Sequence, residues 1–168
     1  TSFFKMELSR TQNELEESAE SSIRETKEKY AGMVSSLRTI AAAFSDFSSI
    51  YDESVYEQLS FFKNMTFFDR IVIADAEGNS VNSEGDKTNI KRREYFQKAI
   101  NGETVISEIL DSQIIQNEEI QVVAVPIHNE NVVTGVLFGV LDIDTLNQEI
   151  GELYLNHIYI PVSYTHLT

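Results

Sequence analysis

Cysteine is absent from the 168-residue chain, which excludes disulfides, thiol nucleophiles and cysteine-ligated metal centres. His128, His157 and His166 are scattered, with none of the short spacings or adjoining carboxylates that metal ligation needs, so neither a metal nor a cofactor is expected. With no thiol and no histidine in a plausible pairing, a nucleophile and base cannot be assembled, and an enzyme is not expected either. Basic residues number 13 against 27 acidic ones, the net charge is −14, and no lysine or arginine follows Lys98. Such a chain has no basic face to offer a nucleic-acid backbone or an anionic lipid surface. It also lacks a run of about 18 apolar residues and a recognisable signal peptide, so the stretch itself is expected neither to span a membrane nor to carry an export address.

What the chain does have is a long apolar strand, V-V-T-G-V-L-F-G-V-L-D-I-D over residues 132–144. Near-continuous apolar character predicts a central strand covered on both faces. Val136, Phe138, Val140 and Asp142 share one face, and Leu137, Gly139, Leu141 and Ile143 the other. Asp142 therefore projects from an apolar row, where a carboxylate needs a partner, a wet cavity or a ligand. Alternatively the strand has ended there and Asp142 begins a turn.

Residues 3–31 contain no glycine or proline, and the helix they predict runs on to about Phe47, roughly 60 Å at 1.5 Å per residue. Leu8, Leu15, Ala19, Ile23 and Tyr30 recur near a seven-residue period, with Glu20/Arg24 and Glu25/Lys29 as supporting pairs. The apolar stripe is one residue wide up to Tyr30 and broad from Met33 to Phe44. The second half is thus expected to pack on a core and the first half to project, its thin stripe serving as a seam for a parallel homodimer. A second amphipathic helix follows over residues 53–67, then short strands at 71–74 and 80–83 around a tight turn, and a polar loop at 84–89. Residues 91–101 read as a helix stopped by Gly102, residues 105–110 and 120–127 as two further strands. Thr145 and Gln148 fit a capping box opening the last helix, whose face includes Leu146, Ile150 and Leu153. The order predicts an α+β fold: a long N-terminal helix, then an antiparallel sheet of about five strands with flanking helices.

Lys91-Arg92-Arg93 is the one run of three basic residues, placed where a helix dipole disfavours cations unless an anion is near. An acidic group on Arg93 would answer that, with Lys91 and Arg92 pairing at the surface.

Five blocks together, I-V-I-A-D-A-E-G-N-S-V, N-I-K-R-R-E-Y-F-Q-K-A-I-N-G-E, I-S-E-I-L-D-S, V-V-A-V-P-I and V-V-T-G-V-L-F-G-V-L-D-I-D-T-L, resemble the extracytoplasmic Cache sensor domains of bacterial receptors. The resemblance spans about residues 3–153. It implies a PAS-like curved sheet with a small-ligand pocket, at the cell membrane on its extracytoplasmic side, feeding a chemoreceptor, histidine kinase or diguanylate cyclase. In the amino-acid-binding branch an arginine and a strand-end aspartate hold the ligand, positions matched here by Arg93 and Asp142. Tyr95-Phe96 stands where that branch has Trp-Tyr, and Ile109 where it has a strand tyrosine, so an ammonium would lack a hydroxyl partner. The resemblance thus implies ligand-binding residues Arg93, Tyr95, Phe96, Asp111 and Asp142, with a small carboxylate, amino acid or amine as ligand. The alternative is a structural dimerisation module with no ligand of its own.

The organisation expected is a helix over 1–50, a membrane-distal Cache module over 51–153, and over 154–168 the start of an incomplete second module. Within the last part, residues 161–168 read as translated sequencing adapter and not as part of a fold.

Overall fold

A computed structural model describes residues 2–151; the expectations for Leu153 and for residues 154–168 lie outside the described residues. Helix α1 spans Ser2–Ala43 and α2 Glu53–Asn64. Strands β1 (Arg70–Asp75), β2 (Asn79–Asn82) and β3 (Lys87–Asn89) come next, then α3 (Glu94–Ile100). The short strands β4 (Val105–Ile106) and β5 (Leu110–Asp111) precede the long pair β6 (Glu119–Asn129) and β7 (Val132–Asp142), and α4 is Ile143–Ile150. The fold is α+β, with every strand pairing antiparallel in the order β3-β2-β1-β7-β6-β4 and β5 also on β6.

The sheet has seven strands where about five were expected, for two local reasons. Asn82 Oδ1 accepts from the backbone N–H groups of Glu84 and Asp86, folding the chain back so that polar Lys87–Asn89 pairs with β2. Residues 105–110 break in two at Ser107, whose hydroxyl oxygen takes the Val122 N–H that a continuous ladder would give to backbone.

β7 is central, between β1 and β6, and both of its faces are covered as its apolar run required. Leu137 and Leu141 meet the broad face of α1 (Met33, Leu37, Phe44), together with Leu59 of α2 and Leu146 of α4. Val136, Phe138 and Val140 form a second core with Tyr95, Phe96 and Ala99 of α3. The two halves of α1 differ as expected: Tyr30 to Phe44 supplies buried residues, while Leu8, Leu15 and Ile23 are more than half exposed. The i,i+4 pair that forms on α1 is Arg10–Glu14 at 3.4 Å, and not Glu20–Arg24 or Glu25–Lys29, whose side chains stay in solvent. α1 also stops at Ala43, short of Phe47, because Phe44 and Ser45 donate to carbonyls three residues back and tighten its end.

Candidate functional site

Between α3 and its face of the sheet lies a small cavity of about 40 Å³, which opens into a mouth that brings the empty space, solvent included, to about 440 Å³. Alternation along three strands builds its wall. Val72 on β1 and Phe138 and Val140 on β7 give it an apolar back, while Ser80 and Asn82, the inward positions of β2, give it polar groups. The N-terminal end of α3 contributes Arg93 and Tyr95, and the loop after β5 contributes Ser112 and Ile114.

Arg93 is the N-cap residue of α3, in extended conformation (φ −72°, ψ 132°), half-buried, and its Nη2 donates to the Asp111 carbonyl at 2.9 Å. The helix is only seven residues long and Glu94 occupies its first turn, so the dipole argument made for the basic run carries little weight here. Lys91 and Arg92 are exposed in the preceding turn. Tyr95 packs its ring on Phe138 at 5.2 Å between centroids, inclined by 58°. Its hydroxyl makes no hydrogen bond among the described residues, and it lines the cavity. Burial pushes the Tyr95 phenol up to about 12, opposed by the nearby Arg93 guanidinium.

That displacement fixes the sign of an alkaline transition. The neutral phenol is the form the fold accommodates, so its contribution is complete below pH 10 and is lost as pH rises toward 12. At about 1.4 kcal/mol per pH unit the loss amounts to roughly 2–3 kcal/mol. Chemical denaturation of the wild type should show this decline between pH 10 and 12, and Tyr95→Phe should lack it. An equal decline in both proteins would mean that Tyr95 ionises freely.

The cavity brings together Arg93 and Tyr95 but not the other candidates. Phe96 lies in the core behind it, 2% exposed. Asp111 offers its backbone carbonyl to Arg93 and turns an exposed side chain to solvent. Asp142 ends the strand and is the N-cap of α4, its Oδ1 accepting from Thr145 N–H at 2.8 Å. The capping box assigned to Thr145 and Gln148 is corrected accordingly: Thr145 lies three residues inside the cap, and its hydroxyl donates to Asp69. Asp142 therefore serves as the cap of a helix start and does not line this cavity, whose wall on β7 ends at Val140. No ion pair joins Arg93 to Asp142 among the described residues, so the cavity is not closed by one. Ile109 packs against the opposite core, the one under α1, so it leaves no gap in the cavity.

Sequence reasoning missed Arg70, Asn82 and Asp86. Arg70 begins the apolar strand R-I-V-I, and it lines the cavity while only 5% exposed. Asn82 and Ser80 alternate with Val81 in N-S-V-N, a period-two signal for one polar face. Asp86 sits at the cavity rim, its Oδ2 accepting from Asn82 Nδ2 at 3.1 Å.

A family model described as a Cache domain matches residues 6–161. No curated protein matches the sequence. Among solved structures, the chain is similar to the ligand-binding domain of the Pseudomonas aeruginosa amino-acid chemoreceptor PctC in complex with GABA. The TM-score is 0.69 at 17% identity, over 84% of this chain and 68% of that one. It is similar to the ligand-binding domain of the Pseudomonas fluorescens chemoreceptor CtaA in complex with L-serine (TM-score 0.73, 17% identity, 83% of this chain, 63% of that one). It is also similar to the ligand-binding domain of the P. aeruginosa amino-acid chemoreceptor PctB in complex with L-Arg (TM-score 0.70, 19% identity, 82% of this chain, 60% of that one). The chain thus spans roughly three fifths to two thirds of the length of these domains, and at such identities the likeness is one of fold.

Proposed function

Because the chain belongs to the Cache domain family, we propose that it is the ligand-sensing part of a transmembrane signalling receptor, held on the extracytoplasmic side, and that it acts by binding and not by catalysis. The observation that carries this is the cavity itself: Arg93 and the unpaired Tyr95 hydroxyl meet over an apolar wall of Phe138 and Val140. A guanidinium and a neutral hydroxyl set on an apolar surface suit a small organic acid, its carboxylate on Arg93 and its carbon skeleton on the aromatic pair. The amino acids and GABA bound by the similar chemoreceptor domains also carry a carboxylate, which supports the same ligand class here. Among the described residues no helix is long and apolar enough to cross a membrane, so anchoring is assigned to chain outside them.

The sheet separates the cavity from α1. On the α1 side Tyr30 donates to Gln121 Oε1 at 2.7 Å, and Gln121 donates on to the Ser107 carbonyl at 3.1 Å. Ile120, next to Gln121 on β6, lines the cavity from the other face, so a ligand pressing on β6 acts one residue from the helix contact. The exposed stripe Leu8, Leu15 and Ile23 would carry that displacement to a second copy of α1 in a parallel homodimer.

A thermal-shift screen with small organic acids, amino acids and amines tests the reading. A binding acid present at about 100 times its Kd adds roughly 2.7 kcal/mol, a clear rise in melting temperature. No shift with any member of the three classes would reject sensing. For the dimer, cysteines placed at Leu15 or Ile23 in the membrane-anchored receptor should cross-link to their own copies, and their failure to do so would reject the parallel pairing.

A further inference from the structure

Arg70 lines the same cavity as Arg93, yet it is 5% exposed and set among Val72, Ile120 and Val140. Its Nη2 donates to Glu118 Oε1 at 2.6 Å, and this is its one side-chain hydrogen bond among the described residues. A guanidinium carries five N–H donors in a rigid fork, so most of Arg70's donors have no protein acceptor among the described residues; none of its nitrogens is both buried and unpaired, so these donors are open to solvent where Arg70 lines the cavity.

Both cavity arginines are held by one loop. Arg93 bonds the Asp111 carbonyl at its start, Arg70 bonds the Glu118 carboxylate at its end, and Ser112 N–H closes it onto the Glu118 carbonyl at 2.9 Å. Each guanidinium is thereby fixed by a single bond while the rest of its fork stays available, the arrangement that recognises a planar acidic group in two-point fashion.

We propose that Arg70 is a second anion-recognising residue, and that the cavity takes a small molecule with two acidic groups, one on Arg93 and the other on Arg70. The proposal rests on the ligand-sensing reading above and names the chemistry of its ligand.

The test is titration calorimetry with the α,ω-dicarboxylates from malonate to adipate, each against its mono-amide, which keeps the shape and removes one charge. At least one dicarboxylate should bind the wild type tenfold or more tightly than its mono-amide, about 1.4 kcal/mol. Arg70→Gln should bring that ratio to near one while binding of the mono-amide persists. Arg70→Lys, which keeps the charge and loses the fork, should give a reduced ratio. If the glutamine variant does not fold, the wild-type ratio and the lysine variant decide the matter. A ratio near one at every chain length, with a monocarboxylate bound, overturns the proposal and leaves the sensing reading standing. Binding of no dicarboxylate and no mono-amide also overturns the proposal, and the sensing reading falls with it only if no amino acid, amine or other organic acid shifts the melting temperature.

Discussion

Arg93→Gln should weaken binding of any acid found in the screen by about 100-fold or more, while moving the melting temperature by only a few degrees. The two effects separate because Arg93 holds very different partners in each case. Within the protein it makes one bond, to the neutral Asp111 carbonyl, from a half-buried position. A bond of that kind contributes about 1 kcal/mol net. Toward a ligand carboxylate the same guanidinium makes a charge-assisted contact inside a partly enclosed cavity, and truncating one partner of such a pair costs about 2–5 kcal/mol. A hundredfold loss is about 2.7 kcal/mol, within that range. Calorimetric titration of wild type and variant, with melting curves of both, checks the split. If the variant binds as tightly as the wild type, the ligand does not sit on Arg93 and the cavity assignment fails.

How far the fold could be read in advance depended on whether its information was local. The covered strand was legible because burial on two faces demands apolar residues at both parities, and Val132–Asp142 supplies them. The change in α1 at Tyr30 was legible because a wide apolar stripe needs a core and a narrow one does not. β3 was not, because Lys87–Asn89 is polar and becomes a strand only through the Asn82 turn that delivers it to β2. The site divided in the same way. Arg93 and Tyr95 stand two residues apart at one helix start and could be taken together from sequence. Arg70 and Asp86 reach the cavity only through sheet pairing and the β2–β3 turn, contacts that no short window contains. Asp142 was legible as an anomaly, an acidic residue closing an apolar strand, and both a ligand and a helix start explained it. The Thr145 N–H on its side chain, with Asp69 accepting the Asp142 N–H at 2.8 Å, supplies the helix start.

The same strand also carries two positions intolerant of any added side chain. Gly135 and Gly139 lie four residues apart on the face of β7 toward α1, and a methyl group at either would meet something that cannot move away freely. At Gly139 it would fall 2.4–2.6 Å from three ring atoms of Phe68, a side chain only 2% exposed. At Gly135 it would fall 2.5 Å from the backbone carbonyl oxygen of Ala74, on the neighbouring strand, and 3.0 Å from the Phe47 ring. Overpacking of this sort costs about 1–3 kcal/mol where side chains can shift and more where backbone must. Gly139→Ala should therefore destabilise by about 3 kcal/mol, and Gly135→Ala by at least as much. The two should then differ in how they are rescued. Phe68→Leu frees space at Gly139, so the Gly139→Ala/Phe68→Leu pair should be more stable than the sum of its single effects by 1 kcal/mol or more, a coupling expected of residues in contact. Phe47→Leu should not rescue Gly135→Ala, because the closer obstacle there is a peptide group fixed in the β1–β7 ladder. Denaturant unfolding of the six variants and the wild type measures both couplings. A Gly135→Ala protein within about 1 kcal/mol of wild type, or one rescued by Phe47→Leu, would show that β1 can yield at Ala74 and that glycine at 135 is not required by the packing of these strands.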